Sequence, residues 1–331
     1  MQTVIDVSRL RQNIRRIRAR TRNEFCAVVK SSAYGHGIAT ACYIEPLVDC
    51  FMVATAQETV ELIAVVNKPV LALGGDISPY TRMYEPQIIP TVYDATQLDA
   101  ILNAGYKRFS VEIDTGMHRL GADENRLREI LEKCKERDVK PWSVYSHLYG
   151  GISSAGSQAA EFERLTVDPL LRAKRHLYCS CALDLNGFEL FDMTRGGIAM
   201  YGYHSGMNAC MKTRAKIVAL NYVAKGEHVG YGDYVLGKDT LVATVGCGYS
   251  DGLRRCDKQL YLTVRGVKCP VIGVPCMDLC MIDVTGLQCR VGEFAYLIAD
   301  KDDAEYLAKC YGTIVYEVLT GFNGRAQRIY V

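Results

Sequence analysis

The stretch FCAVVKSSAYGHG, residues 25–37, opens with five apolar residues and passes directly into a lysine. A short apolar run of this kind is typical of a strand that is buried on both faces. Amphipathic helical patterns, as at Ala56–Val66, Ala95–Asn103 and Glu124–Arg137, separate this run from similar ones further on. Eight candidate strands result: Phe25–Lys30, Phe51–Ala54, Pro69–Leu73, Gln87–Pro90, Arg108–Ile113, Trp142–His147, Leu177–Cys181 and Met193–Arg195.

Strands that alternate with helices pair in parallel, and eight such units favour a closed (β/α)8 barrel of the TIM type over an open sheet. After about residue 215 the pattern changes to short apolar runs divided by glycine and charged turns. We therefore predict an α/β chain with a barrel at 1–215 and a mostly-β domain at 216–331. The candidate strands of the second domain are Ile217–Val223, Asp239–Thr244, Gln259–Val264, Cys269–Val274, Cys280–Val284 and Glu293–Ile298, with one helix at Asp303–Cys310.

Composition narrows the class of partner. The 331 residues carry a net charge of only +2, which argues against nucleic acid or a membrane surface as the main partner. No apolar run approaches the ~18–20 residues that a membrane span needs. The 14 cysteines lie in apolar segments without the spacing of a zinc site, which predicts free thiols in a reducing cytoplasm and no metal.

The predicted strand ends carry groups suited to catalysis. A barrel holds its active site at the carboxyl ends of its strands, where this chain places Lys30, Asp114, His147, Ser180 and Arg195. A desolvated lysine with a lowered pKa is a candidate for a covalent link to a carbonyl group. The lysine alone leaves open the alternative of a strand-terminal side chain that reaches solvent.

Seven blocks, in order along the chain, resemble the alanine racemase family, whose enzymes use pyridoxal phosphate (PLP). The first, VVKSSAYGHG at 28–37, resembles the motif of the PLP-binding lysine, although relatives usually have Ala-Asp at positions 31 and 32. The others are DTGMHRLG at 114–121, His147, RGGIAMYG at 195–202, VGYG at 229–232, GYSDG at 248–252 and Met277-Asp278.

The resemblance implies a role for each matching residue. Lys30 would link to PLP, and Tyr231 would be the acid–base group on the opposite face of the substrate. The resemblance also implies a head-to-tail homodimer in which Tyr231 and Met277 enter the partner's active site. The phosphate would be bound by Tyr34, Ser180, Gly197 and Ile198, and the cofactor ring would be contacted by His147 and Arg195. The substrate would be bound by Arg119, Met277 and Tyr249, and Asp278 would support the site from outside.

These roles agree with the chemistry of racemisation. A proton leaves one face of Cα and another arrives on the opposite face, which requires two acid–base groups. An arginine beside the ring nitrogen does not readily protonate it, so the carbanion is short-lived and transamination is disfavoured. A tyrosine, with an ordinary pKa of about 10, needs nearby positive charge, for which we expect the Arg195–His147 pair.

The sequence departs from the family at two places. Glu112 stands where many relatives have a carbamylated lysine, so we expect it to supply a permanent negative charge that pairs with Arg119. Relatives end in a tyrosine–arginine pair, which we match to Phe322-Asn323-Gly324-Arg325, without tyrosine. This difference predicts a wider pocket in which Asn323 contacts a substrate hydroxyl.

In this C-terminal segment the chain resembles the serine/alanine racemase domains of membrane-tethered vancomycin-resistance proteins. Those proteins supply D-amino acids for peptidoglycan precursors. The sequence therefore predicts a cytoplasmic racemase of serine, alanine or both. The resemblance also allows this racemase to be the cytoplasmic domain of a membrane protein. A plain alanine racemase is the close alternative. A single-barrel PLP carrier would lack residues 216–331, and a decarboxylase of this barrel class usually has a carboxylate where Arg195 stands.

Overall fold

The computed structural model describes residues 1–150, 152–184, 191–322 and 324–331. The strands, numbered in chain order, are β1 (Gln2–Ile5), β2 (Glu24–Val28), β3 (Cys50–Val53), β4 (Val70–Ala72), β5 (Ile88–Val92), β6 (Ser110–Glu112), β7 (Ser143–Tyr145), β8 (Lys174–His176), β9 (Met193–Gly196), β10 (Met211–Val223), β11 (Thr240–Val245), β12 (Tyr261–Val264), β13 (Val267–Ile272), β14 (Cys280–Asp283), β15 (Phe294–Ile298) and β16 (Gln327–Tyr330). Within these ranges, the right-handed α-helices are Val7–Thr21, Thr40–Ile44, Ala56–Ile63, Ala95–Asn103, Glu124–Glu136, Ile152–Leu165, Lys301–Tyr311 and Val315–Gly321. A further short segment, Lys30–Tyr34, has left-handed φ/ψ values inside it.

Strands β2 to β9 form one parallel sheet in the order β8-β7-β6-β5-β4-β3-β2-β9. The amide of Arg195 in β9 donates to the carbonyl of Tyr178, just beyond β8, at 3.0 Å, and so links the two ends of this sheet. Strands β3, β4 and β5 are buried along their whole length, which explains why they are continuous apolar runs. The predicted α/β barrel class is confirmed.

The seventh predicted strand, Leu177–Cys181, is wrong. The strand is β8, three residues earlier, and Ser180 instead begins a short 3-10 helix, Ser180–Asp184. An apolar-run criterion misses β8 because its sequence is Lys-Arg-His. Its polar side chains are satisfied by partners: Lys174 pairs with Glu24 at 2.6 Å, and His176 bonds inside the barrel.

The second sheet is mixed, in the order β11-β14-β13-β12-β15-β10-β1-β16. The long strand β10 pairs with β1 and β15 along its first half and with β11 along its second. The N-terminal strand β1, which the sequence analysis did not predict, also pairs in parallel with β16. An early strand at the N-terminus therefore belongs to the same sheet as the C-terminus.

The chain forms two compact units. One consists of Met1–Leu10, Tyr34–Gly37 and Tyr201–Val331, and the other of Arg11–Ala33 and Ile38–Met200. The predicted domains divide instead at residue 215. The difference arises because β1 and the first half of β10 hydrogen-bond to each other in the mixed sheet, which draws both into the β unit.

Three further properties concern only the described part of the chain. None of its helices is long and apolar enough to cross a membrane. Its His, Cys, Asp and Glu side chains form no group of three that could hold a metal ion. Within these ranges, the cysteines other than Cys181 are free thiols.

Candidate active site

The barrel unit gathers three of the predicted groups at the carboxyl ends of its strands. Lys30 follows β2, His147 follows β7, and Arg195 lies near the end of β9. Burial lowers the pKa of Lys30, the charges of Arg119 and Arg195 lower it further, and the carboxylate of Glu58 raises it. The Lys30 amine makes no hydrogen bond or ion pair with any residue that the structure describes, so it is a partly desolvated amine suited to covalent chemistry.

Arg195 is a buried cation whose terminal nitrogens are fully used. Its Nη1 donates to Nδ1 and to the carbonyl of His176, both at 2.9 Å. Its Nη2 donates to the carbonyls of Ser146 and Leu177, both at 2.8 Å, and to Nδ1 of His147 at 3.2 Å. These bonds offset the cost of burying the charge. The Nε–H has no acceptor within the described ranges, which leaves one donor for an added group.

Both histidines bonded to Arg195 are neutral. Burial, followed by the charges of Arg195, Arg119 and Lys30, lowers the pKa of His147 to about 3. Because Nδ1 accepts from Arg195, the His147 proton is on Nε2. The expectation that His147 supplies positive charge is therefore wrong: Arg195 carries the charge alone.

His176 is a site residue that the sequence analysis missed. It is completely buried, its pKa is lowered by burial and by Arg195, and its Nε2 donates to Ser143 Oγ at 3.1 Å. Its Nδ1 and its carbonyl oxygen both accept from Nη1 of Arg195 and so help to orient the guanidinium. Placing the seventh strand at Lys174–His176 would have put His176 at a strand end and identified it.

The segment after β9 offers a set of donors. The Ser180 hydroxyl accepts from the amide of Ala199 at 3.1 Å, so its own proton is available. The amides of Gly197 and Ile198 donate to no other residue that the structure describes. Two spare backbone N–H groups and one hydroxyl suit a phosphate, and the spare Arg195 Nε–H suits a ring nitrogen. The barrel residues therefore fit PLP.

Glu112 is buried at the end of β6, and its carboxylate accepts from the Tyr145 hydroxyl at 3.2 Å. Burial raises the pKa of Glu112, while the Tyr145 bond and the charges of Arg119 and Arg195 partly offset the rise. The expected ion pair is absent among the described residues: Arg119 is exposed and acts on Glu112 only through its charge. The hydrogen-bond partner of Glu112 is the Tyr145 hydroxyl instead.

We expect Glu112→Gln to raise KM for the amino-acid substrate about threefold or more, because the charge acting on Arg119 is lost. A carboxyl whose pKa is raised by folding stabilises the protein below its unfolded pKa, and that stabilisation is lost as pH rises through the folded pKa. The uncharged variant should therefore melt a few degrees higher, roughly, than the parent at pH 8, with a smaller difference at pH 5. The exposed Glu132→Gln is the control. Unchanged KM and unchanged melting at both pH values would remove Glu112 from the site.

In the β unit, Tyr231 stands at the tip of a hairpin. The Val229 amide donates to the carbonyl of Tyr234 at 3.1 Å, and Gly230 and Gly232 flank the tyrosine with φ of 73° and 84°. These left-handed values favour glycine and give the Gly-Tyr-Gly sequence a structural reason. The Tyr231 side chain is 66% exposed, which leaves its hydroxyl accessible.

Tyr231 and Met277 line one cavity of about 350 Å³, together with Gly230, Cys276, Asp278, Leu279 and Met281. The structure thus brings together two residues that the sequence separates by 46 positions. Met277 is 54% exposed, and Tyr249 and Leu279 are also exposed. A group of exposed large apolar side chains around a cavity is typical of a surface that another molecule covers.

A polar network holds the Met277 loop. The amides of Tyr249 and Ser250 donate to the carbonyls of Cys276 and Met277, both at 3.0 Å. Arg325, which was not among the predicted site residues, donates to Asp278 at 2.7 Å and to the buried Asp251 at 3.2 Å. Asp278, which directly follows Met277 in the sequence, therefore has Arg325 as its partner.

Two tyrosine rings pack against Tyr34, one of the predicted phosphate-binding residues. The Tyr34 ring packs against Tyr201, with centroids 5.0 Å apart, and against Tyr316, with centroids 5.9 Å apart. The tyrosine of the relatives was expected at positions 322–325, where this chain has none. Asn323, the predicted contact for a serine hydroxyl, lies outside the described residues, so the structure gives it no position.

Two family models match the chain in succession. The model described as "Alanine racemase, N-terminal domain" matches residues 5–205, and "Alanine racemase, C-terminal domain" matches residues 210–330. Among curated proteins, the chain is 30% identical to an alanine racemase of Thermodesulfovibrio yellowstonii, with 100% of this chain and 98% of the relative covered. It is 31% identical to one of Sorangium cellulosum, with coverage of 98% and 97%.

Solved structures give the same result. An alanine racemase of Clostridium difficile 630 superposes with a TM-score of 0.93 at 28% identity, covering 100% of this chain and 95% of the other. An alanine racemase of Bartonella henselae "with covalently bound pyridoxal phosphate" superposes with a TM-score of 0.87 at 26% identity, covering 100% and 99%. The likeness therefore extends over both units of the chain.

Proposed function

Since this chain belongs to the alanine racemase family and is a PLP-dependent amino-acid racemase, we propose that alanine is its preferred substrate. We further propose that Lys30 and Tyr231 transfer the two protons. The observation that carries the proposal is the cluster of Lys30, His147 and Arg195 at one set of strand ends. The match to the C-terminal family model over residues 210–330 also argues against a single-barrel PLP carrier.

The barrel residues would hold PLP, which supplies an electron sink for negative charge at Cα. In the proposal, Lys30 attaches it, Ser180, Gly197 and Ile198 receive its phosphate together with Tyr34, and the neutral His147 lies on its ring. Arg195 would donate from Nε to the ring nitrogen. Because a guanidinium keeps its proton in proteins, Arg195 would leave that nitrogen unprotonated and favour racemisation over transamination.

Lys30 and Tyr231 would transfer protons on opposite faces of the substrate Cα. The lowered pKa of Lys30 increases the fraction of neutral amine that can accept a proton at Nζ. Tyr231 would accept or deliver the second proton at its phenolic oxygen, and Arg119 with Met277 would orient the substrate carboxylate. Tyr249 lies in the same loop network as Met277 and would line the substrate entrance.

We propose a homodimer with shared active sites, as the family resemblance implies. The supporting observation is the exposure of Tyr231 and Met277, the two residues assigned to the partner's site. An acid–base tyrosine that is two-thirds exposed has little of the desolvated environment that proton transfer at carbon requires. A second copy of the chain would provide that environment.

Alanine rather than serine is proposed because Tyr316 places a tyrosine ring against Tyr34. The expected serine preference depended on a wider pocket without that tyrosine, and Tyr316 packs on Tyr34, one of the proposed phosphate residues. A vancomycin-resistance role and a membrane tether depended on the same expectation and gain no support from Tyr316. D-alanine for peptidoglycan precursors is the product that we propose.

We expect kcat/KM for L-alanine to exceed that for L-serine by about 10- to 100-fold, because a pocket sized for a methyl group excludes an unpaired hydroxyl only moderately. Tyr316→Ala should reduce this ratio by making room, whereas Tyr316→Phe, which keeps the ring, should preserve it. Racemisation of both amino acids, followed by chiral chromatography, measures the ratio. A parent enzyme that prefers serine would contradict the assignment of alanine.

A further inference from the structure

We propose that Glu58 is a positioning residue for Lys30, because its carboxylate anchors the backbone turn that begins directly after the lysine. The inference rests on the proposed attachment of PLP to Lys30 and deepens it. Glu58 belongs to the helix Ala56–Ile63, outside every family block on which the roles above depend.

The turn that needs anchoring is left-handed. Ser31, Ser32, Ala33 and Tyr34 have φ values of 52°, 52°, 53° and 53°. Such values are unfavourable for residues with a Cβ atom, and consecutive ones are rare because only glycine adopts them freely. None of these four residues is glycine. The surrounding structure therefore has to hold the turn, and any slack in it would move the neighbouring Lys30.

Glu58 anchors the turn at its first residue, Ser31. One carboxylate oxygen accepts from the Ser31 amide at 2.6 Å. The other accepts from the amides of Ala54 and Thr55 at 2.9 and 3.2 Å. Since Ala54 directly follows β3, the carboxylate ties the end of β3 to the turn after β2. Bonds from backbone N–H groups to a carboxylate are charge-assisted and stronger than neutral ones.

An ordinary helix cap explains only part of this arrangement. Thr55 and Glu58 form a capping box, in which the Thr55 side chain accepts from the Glu58 amide at 3.2 Å. That box needs one bond from the glutamate to the Thr55 amide. The bond to Ser31 is additional and is the shortest of the three. It points to a function for Glu58 beyond helix capping.

Electrostatics adds a second link between Glu58 and the lysine. The charged groups that act on Lys30 are Arg119 and Arg195, which lower its pKa together with burial, and Glu58, which raises it. Removing the Glu58 charge should therefore lower the pKa of Lys30 further. A purely structural cap would leave that pKa unchanged, so the titration of Lys30 separates the two roles.

The experiment compares Glu58→Gln with Glu61→Gln in the full chain. Glu61 lies on the same helix and is exposed, with a hydrogen bond only to Gln57 within the described residues, so it is a matched control. The rate at which an amine-reactive reagent labels Lys30 in the cofactor-free protein, followed by peptide mass spectrometry across pH, gives the pKa of Lys30. PLP affinity is measured by absorbance. Glu58→Asp keeps the charge and shortens the side chain.

We expect Glu58→Gln to lower the pH of half-maximal Lys30 labelling and to weaken PLP binding about tenfold, with Glu61→Gln unchanged in both. Glu58→Asp should keep the labelling profile and still weaken PLP binding, and it replaces the glutamine variant if that one fails to melt cooperatively. Variants that match Glu61→Gln in both measurements overturn the proposal. PLP attached to another lysine in the parent protein would overturn the proposed function and this inference together.

Discussion

Tyr231→Phe should lower the rate of alanine racemisation by about 10²- to 10⁴-fold, the usual contribution of a general acid–base group. The variant should still bind PLP, because the residues that fit the cofactor in the barrel unit are untouched. Loss of α-deuterium exchange should be unequal. Exchange from L-alanine should disappear, whereas exchange from D-alanine, which we assign to Lys30, should persist.

A tyrosine in the same hairpin provides the control. Tyr234 is also exposed and contributes only backbone to the hairpin bond with Val229, so Tyr234→Phe should keep nearly full activity. Exchange followed by NMR in deuterated water distinguishes the two enantiomers. Equal losses from both enantiomers would contradict the assignment of Tyr231 to one face of the substrate, and retained racemisation would remove it from the chemistry.

Activity should return when two inactive variants are combined in one dimer. If Tyr231 enters the partner's site, a dimer of a Lys30→Ala chain and a Tyr231→Phe chain has one site with both changes and one with neither. Such a dimer should have about half the activity of the parent dimer, since a two-fold symmetric assembly has two equivalent sites. Each variant alone should have at most about 1% of the parent's activity, as expected when an acid–base group is lost.

Co-expression with two different affinity tags, followed by purification on both, isolates the mixed dimer. The control is each variant carried through the same procedure with itself. No recovery of activity in a mixed dimer that forms normally would place Lys30 and Tyr231 in the same chain's site. Failure to isolate any dimer would contradict the proposed assembly.

The barrel could be predicted from sequence because its strands are buried on both faces. Continuous burial in β3, β4 and β5 requires continuous apolar runs, and these are visible without a structure. The predicted strand Gln87–Pro90 corresponds to β5, Ile88–Val92. Lys30, His147 and Arg195 could be predicted with it, because strand ends in a barrel converge regardless of their distance in sequence.

Other features depend on pairings that local sequence does not record. Strand β1 forms because β10 and β16 lie beside it, more than 200 residues later in the chain. Strand β8 is polar because its side chains find distant partners. Tyr316 is recognised only by its packing on Tyr34. The bond from Ser31 to Glu58 likewise joins residues 27 positions apart.

The attachment point of PLP is the most direct test of the account. Borohydride reduction of the purified enzyme, followed by proteolysis and mass spectrometry of the labelled peptides, identifies the lysine that carries the cofactor. If PLP is attached to Lys30, the visible absorbance should be lost and a single label should appear on Lys30. A label on any other lysine, or a protein purified with PLP that takes up no label, would contradict it.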